Sequence, residues 1–268
     1  MKLSIGISPC PNDTFIFDAL LHGDISIDNI TFEPHLEDVQ TLNEWALAGK
    51  LDITKISYGV WPMLQSYYQL LQSGGALGKG VGPLLITTPD CLQTNWAHIS
   101  RPSIALPGKN TTAHFLFNFA HQRNVEKVFM PFNAIENAVL SGSVDAGVII
   151  HENRFTYREK GLVLIKDLGQ YWESATGLPI PLGGIVAKQT LPSDLVQSID
   201  KAIAKSIKHA WQYHYPQLSN YVQQHAQEMN AAVMKQHIDL YVNDFSIQLG
   251  EVGNKAVSML MEQTRQMH

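Results

Sequence analysis

The sequence predicts an α/β protein of two lobes, each a mostly parallel sheet flanked by helices, with a ligand cleft between the lobes. Three observations predict it. Strand and helix signals alternate from the N-terminus to Ser57, the pattern of a parallel sheet with helical crossovers. Two short motifs from this stretch recur in the middle of the chain. The chain has 268 residues, more than a single core usually holds.

The elements follow in order. Residues 2–7 alternate and are rich in β-formers, so they predict a strand. Ser8-Pro9-Cys10-Pro11-Asn12-Asp13 supplies turn and helix-cap residues. Phe15, Ile16, Ala19 and Leu20 then recur at helical spacing. Residues 30–35 predict a second strand. Leu42, Trp45, Ala46 and Leu47 give a helix face that stops at Gly49, and residues 51–57 predict a third strand. The glycine-rich stretch 74–82 lacks the spacing of a phosphate-binding loop and is read as a flexible lead into a strand at 83–87.

The second lobe repeats the first. A strand at 103–106 is followed by Asn110-Thr111-Thr112 and a helix, as residues 4–7 are followed by Asn12-Asp13-Thr14 and a helix. Leu47-Ala48-Gly49-Lys50-Leu51-Asp52-Ile53 resembles Leu140-Ser141-Gly142-Ser143-Val144-Asp145-Ala146, and the two pairs sit at closely similar separations. The Pro-bounded segment 178–187 is the expected return. A long amphipathic helix follows with Leu195, Val196, Ile199, Ile203, Ile207 and Trp211 on one face. Helices around 231–243 and 253–267 complete the chain. The expected division is 1–88 with 188–268 as the first, discontinuous lobe and 89–187 as the second.

Composition narrows the function classes. A chain 45% hydrophobic and 16% charged packs as a globular protein and is not disordered. The net charge of −5 and the lack of a basic block argue against a nucleic-acid partner. No apolar run reaches membrane-spanning length, and prolines interrupt the short N-terminal apolar stretch, so neither a membrane span nor an export signal is expected and the expected location is the cytoplasm. Cys10 and Cys91 form no C-x-x-C pair, and His114 and His121 lie seven apart, which is no metal spacing. His98, His209, His214 and His225 are read as surface residues. No metal and no cofactor are expected.

In open parallel sheets, ligands bind beyond the carboxyl ends of the strands. Segments 8–14, 54–57, 108–112 and 150–154 are expected there. Two of them open helices, whose N-terminal N–H groups and dipole favour a carboxylate. Asn110, Thr111 and Thr112 are therefore read both as caps and as anion contacts. His151 leaves an apolar run, Ala146-Gly147-Val148-Ile149-Ile150, at such an edge. A neutral imidazole there can act as a general base near neutral pH, or can be a hydrogen-bonded structural residue. Arg154 reads as a ligand contact or a salt bridge, and Asp52 and Asp145 as turn-fixing residues. The expected partner is a small carboxylate.

Ser8-Pro9-Cys10-Pro11-Asn12-Asp13-Thr14-Phe15, Lys55-Ile56-Ser57, Val148-Ile149-Ile150-His151-Glu152 and Tyr241-Val242-Asn243-Asp244-Phe245 together resemble the 1,4-dihydroxy-6-naphthoate synthase family of the futalosine route to menaquinone. The resemblance spans nearly the whole chain. It implies the fold of type II periplasmic binding proteins. It also implies a carbon–carbon lyase that splits cyclic dehypoxanthinyl futalosine into 1,4-dihydroxy-6-naphthoate and dihydroxyacetone without a cofactor. His151 matches the family's proton acceptor. Lys55, Ile56, Ser57, Thr111 and Thr112, with Asn12 and Asn110 beside them, match the substrate-binding segments. Asn153 stands where many relatives have glycine. Two other activities share this fold: a solute receptor for a small carboxylate, and chorismate dehydratase of the same pathway.

Overall fold

The computed structural model describes residues 1–96, 98–121, 123–226 and 230–266. In chain order the strands are β1 (Lys2–Ile7), β2 (Thr31–Leu36), β3 (Ile53–Ser57), β4 (Tyr68–Leu70), β5 (Ala76–Gly78), β6 (Leu84–Thr87), β7 (Ser103–Leu106), β8 (Glu126–Phe129), β9 (Ala146–Ile149), β10 (Val163–Asp167) and β11 (Ile180–Lys188). The chain divides into two compact units. Unit 1 is Met1–Gly78 with Pro181–His268, and unit 2 is Lys79–Ile180.

Unit 1 holds a sheet in the order β2-β1-β3-β11-β4, with β5 also on β11. Strands β2, β1 and β3 are parallel, and β11 runs antiparallel to β3 and β4. Unit 2 holds the order β8-β7-β9-β6-β10, with β8, β7 and β9 parallel and β6 antiparallel to both neighbours. The two orders correspond strand for strand. Each sheet is thus a parallel triplet extended by antiparallel strands, which corrects the expected mostly parallel sheets.

The expected unit boundaries at 88 and 188 also move. Strand β6 pairs with β9 and β10 of unit 2, and β11 from Pro181 onward pairs with β3 and β4 of unit 1. An apolar run marks a strand but not its partners. Each returning strand completes the sheet of the unit it enters. The glycine stretch is not a loose loop. It contains β5, and Gly82 abuts Gly169 so closely that a Cβ on Gly82 would lie 2.3 Å from the Gly169 Cα.

The core of unit 1 forms between the sheet and two packed helices, Pro11–His22 and Ser193–Tyr213. Val196, Ile199, Ile203 and Ile207 are buried against Phe15, Ile16 and Leu20, with Leu195 and Trp211 at the margin. Each such buried side chain contributes about 1.5–3 kcal/mol. Ser206 Oγ donates to the Ile16 carbonyl at 2.6 Å and accepts from Leu20 N–H, locking the pair of helices. The last helix runs Gly250–Gln266; Met267, the last residue of the expected helix, lies outside the described residues.

The repeated motifs have a structural cause. Asp52 accepts hydrogen bonds from the N–H and Oγ–H of Ser4, and its own N–H donates to Ser4 Oγ. Asp145 makes the same three bonds with Ser103. In each unit the aspartate thereby ties the start of the third parallel strand to the first. Partial burial raises the Asp52 carboxyl, but the Ser4 hydrogen bonds and Lys188 outweigh it and hold its pKa below the ordinary value. Its stabilising effect is accordingly complete above the unfolded carboxylate pKa and is lost as pH falls through the lower, folded one. Asp145→Ala is expected to destabilise the protein by about 2 kcal/mol in urea titration, because two hydrogen bonds to a charged acceptor vanish.

Candidate functional site

In unit 2, β7 and β9 are adjacent and parallel. Their carboxyl ends therefore deliver residues 107–111 and 150–152 to one edge of the sheet. Gly147 lets the helix Ile135–Leu140 lie on β9: a Cβ there would meet the Ile135 methyl at 2.4 Å. His151 then adopts φ 56°, a left-handed conformation. Only Asn29 shares it among the described non-glycine residues. Such backbone costs on the order of 1–3 kcal/mol and persists where neighbours enforce it, often at functional positions.

The neighbours of His151 are visible. Its ring stands edge-on to Phe132 with centroids 4.9 Å apart. The next residues are buried and held: Asn153 Nδ2 donates to Glu136 Oε2 at 2.8 Å, and Lys160 Nζ reaches the same oxygen at 2.6 Å. Asn153 is thus an anchor for the short helix Asn153–Thr156.

Thr111 caps the helix Thr112–Ala120. Its Oγ1 accepts from His114 N–H at 3.2 Å and donates to the Gly108 carbonyl at 2.9 Å. The capping reading of Thr111 holds, and its hydroxyl proton is committed to the Gly108 carbonyl. Thr112 is the first helical residue and is buried, while Asn110 is partly exposed.

In unit 1 the corresponding edge carries residues 8–13 after β1 and the end of β3. Asp13 is fully buried and accepts from the Ser8 N–H at 3.1 Å and the Ser8 Oγ–H at 2.7 Å. It also forms a direct ion pair with Lys55, itself buried. Asn12 Nδ2 donates to Asp13 Oδ1 at 2.8 Å, which leaves Asn12 Oδ1 as an acceptor facing His237 Nε2 at 2.9 Å. His237 therefore carries its proton on Nε2 toward Asn12. A buried polar chain, His237–Asn12–Asp13–Lys55, results. Gly183 makes room for it, since a Cβ there would lie 2.8 Å from the Ile56 carbonyl oxygen and 3.2 Å from Lys55 Cε. Ser57 is fixed by Asn43, whose amide exchanges hydrogen bonds of 3.0 and 2.8 Å with the Ser57 hydroxyl and N–H. Burial pushes the Tyr58 phenol far up, so it stays neutral.

A family model described as menaquinone biosynthesis matches residues 3–266. The 1,4-dihydroxy-6-naphtoate synthase of Thermus thermophilus is 45% identical over 258 residues, covering 96% of this chain and 92% of that protein. The chain belongs to the menaquinone biosynthesis family. The synthase of the same name from Streptomyces coelicolor is 43% identical over 269 residues, 97% of this chain and 91% of that one. The protein AF1704 from Archaeoglobus fulgidus has a TM-score of 0.91 at 30% identity, covering 99% of this chain and 97% of that chain. The periplasmic aliphatic sulphonate binding protein SsuA from Escherichia coli matches at a TM-score of 0.66 and 14% identity, over 99% and 86% of the two chains. That last likeness establishes the periplasmic-binding-protein fold alone.

This member of the family is an enzyme, a 1,4-dihydroxy-6-naphthoate synthase of menaquinone biosynthesis. The receptor and dehydratase readings give way to that activity. Among the described residues no helix is long and apolar enough to cross a membrane. Of the residues expected at the synthase's site, Ile56 is fully buried, so its side chain belongs to the core. Arg154 is structural too. It donates to the Gly82 carbonyl at 2.7 Å and forms a partly buried salt bridge with Asp167 at 4.0 Å, in line with the salt-bridge reading. Asp13, Ser8 and His237 were not anticipated as parts of a polar network. The turn-like sequence around Asp13 signalled only a helix start, and His237 carries no local signal beyond an imidazole on an apolar helix face.

Proposed function

We propose that the chain cleaves cyclic dehypoxanthinyl futalosine to 1,4-dihydroxy-6-naphthoate and dihydroxyacetone, with His151 as general base. The imidazole takes the proton of a sugar-derived hydroxyl. The carbon–carbon bond next to that oxygen breaks as its electrons move into the ring system, and the forming naphthalene drives the step. The new carbonyl leaves with the three-carbon fragment. The observation that carries this reading is His151 itself, held in a left-handed conformation at the carboxyl edge of β9 between a ring contact and an anchored loop.

The first turn of the helix Thr112–Ala120 suits the substrate carboxylate, because N-terminal N–H groups and the helix dipole favour an anion. Lys55 donates to Asp13 and has two further N–H groups with which to contact substrate oxygens, and Ser57 and Asn12 stand at the same sheet edge. Asn110 is assigned to the rim of the carboxylate site. The scheme uses no cofactor and no metal. A cytoplasmic location fits the two free cysteines, Cys10 and Cys91.

Incubation of the purified chain with cyclic dehypoxanthinyl futalosine, with nothing else added, should release naphthoate and dihydroxyacetone in equal amounts. Naphthoate without the three-carbon product, or no turnover, would reject the substrate assignment. Thr112→Val should raise KM for this substrate roughly tenfold with little change in kcat, since it perturbs an anion contact common to ground and transition states. Unchanged KM would remove Thr112 from the site.

A further inference from the structure

We propose that Asp24, His209 and His214 of unit 1 form a site for one divalent transition-metal ion of the zinc class, separate from the residues assigned to chemistry. One ligand atom from each of the three lies within 4.8 Å of the other two. Zinc binds imidazole and carboxylate at about 2 Å, so side-chain adjustments on the order of 1 Å bring three such donors onto one ion. Two imidazoles and one carboxylate select zinc, nickel or copper over magnesium and calcium. Three protein ligands leave a fourth position to water.

The local chain explains how the histidines meet. On a continuous helix two residues five apart point about 140° away from each other. The helix Ser193–Tyr213 ends just before His214, which takes up φ −112° and ψ 13°. The two rings then stand 5.5 Å apart at 84°. Neither is the surface residue the sequence suggests: both are partly buried, and Nδ1 of each is shut off from solvent. Asp24 follows the helix Pro11–His22, after the left-handed Gly23, and makes no ion pair among the described residues. That end of the helix is about 18 Å from the end bearing Asn12 and Asp13.

A second observation comes from behind the site. Asp18, with only 6% of its side chain exposed, places Oδ2 3.1 Å from His214 Nδ1 and Oδ1 2.7 Å from His22 Nδ1. The Asp18–His214 contact lacks hydrogen-bond geometry, since neither Asp18 Oδ2 nor His214 Nδ1 has a hydrogen-bond partner among the described residues. A negative charge beside Nδ1 nonetheless favours the proton on that nitrogen and leaves the Nε2 lone pair for an ion, as carboxylates behind metal-binding histidines commonly do. The negative charges of Asp18 and Asp24 match a dication. An ion here would pin the turn after one core helix to the end of its packing partner, joined already through Ser206.

The test uses the full chain, freed of tags and stripped with chelator, titrated with Zn²⁺ by competition calorimetry and with Co²⁺ by visible absorption. One saturable equivalent is expected, with a rise in melting temperature. His209→Ala and His214→Ala should each weaken binding at least about tenfold, and Asp18→Asn roughly 10- to 100-fold. Asp24→Asn, at an exposed position, should do likewise without harming the fold. No saturable binding up to millimolar Zn²⁺, or one equivalent held equally well by the wild type and by both Asp24→Asn and His209→Ala, would overturn the proposal.

Discussion

His151→Asn is expected to fold, to bind substrate with nearly unchanged affinity, and to turn over about 10²–10⁴-fold more slowly, the usual loss on removing a general base. The asparagine keeps a planar polar side chain and tolerates the left-handed backbone at φ 56°, so little strain is added. It cannot accept a proton near neutral pH. The loss should fall on kcat and kcat/KM together, because the missing interaction exists only as the proton moves. A variant with a lowered melting temperature and an activity loss that tracks unfolding would instead mark His151 as structural.

The second large effect concerns Lys55 and Asp13. Their ion pair is buried, with side chains 8% and 0% exposed. Asp13→Ala leaves a buried ammonium without its counter-charge and should cost about 3–5 kcal/mol in urea denaturation. The loss also strips the acceptor from Ser8 and Asn12. The double variant Asp13→Leu with Lys55→Met should recover the part of that stability owed to the stranded charge, since removing both charges also removes their desolvation cost, while Ser8 and Asn12 stay without their acceptor. The recovered protein separates packing from binding. If the remaining Lys55 N–H groups contact substrate, KM stays high although the fold is restored; a normal KM would confine Lys55 to a structural role.

The repeat was legible because it rests on local chemistry. A glycine stop followed by an aspartate and an apolar strand is written within seven residues, and the Asp52–Ser4 and Asp145–Ser103 ties show why that aspartate is there. Strands β4, β5, β8 and β10 were not predicted. β4 and β5 span three residues each, and β8 and β10 are exposed or half-buried edge strands, so none presents the buried apolar run that marks the equally short β6, β7 and β9. Strand direction and partner were also hidden, which is why β6 and β11 were assigned across the wrong boundaries. His151 stood out in the sequence by following an apolar strand, while its left-handed backbone had no local signal. The Asn12–His237 contact joins residues 225 apart in sequence, and no local spacing encodes it.

In the proposed mechanism one imidazole, that of His151, receives the proton released as the carbon–carbon bond breaks. The pH dependence of kcat, recorded for wild type and for folded His151→Asn, tests it most directly. Wild-type kcat should fall on the acid side as the imidazole takes up a proton and can no longer serve as base, and this limb should be missing from the small residual rate of the variant. The same acid limb in both proteins, or near-normal kcat in the variant, would contradict it.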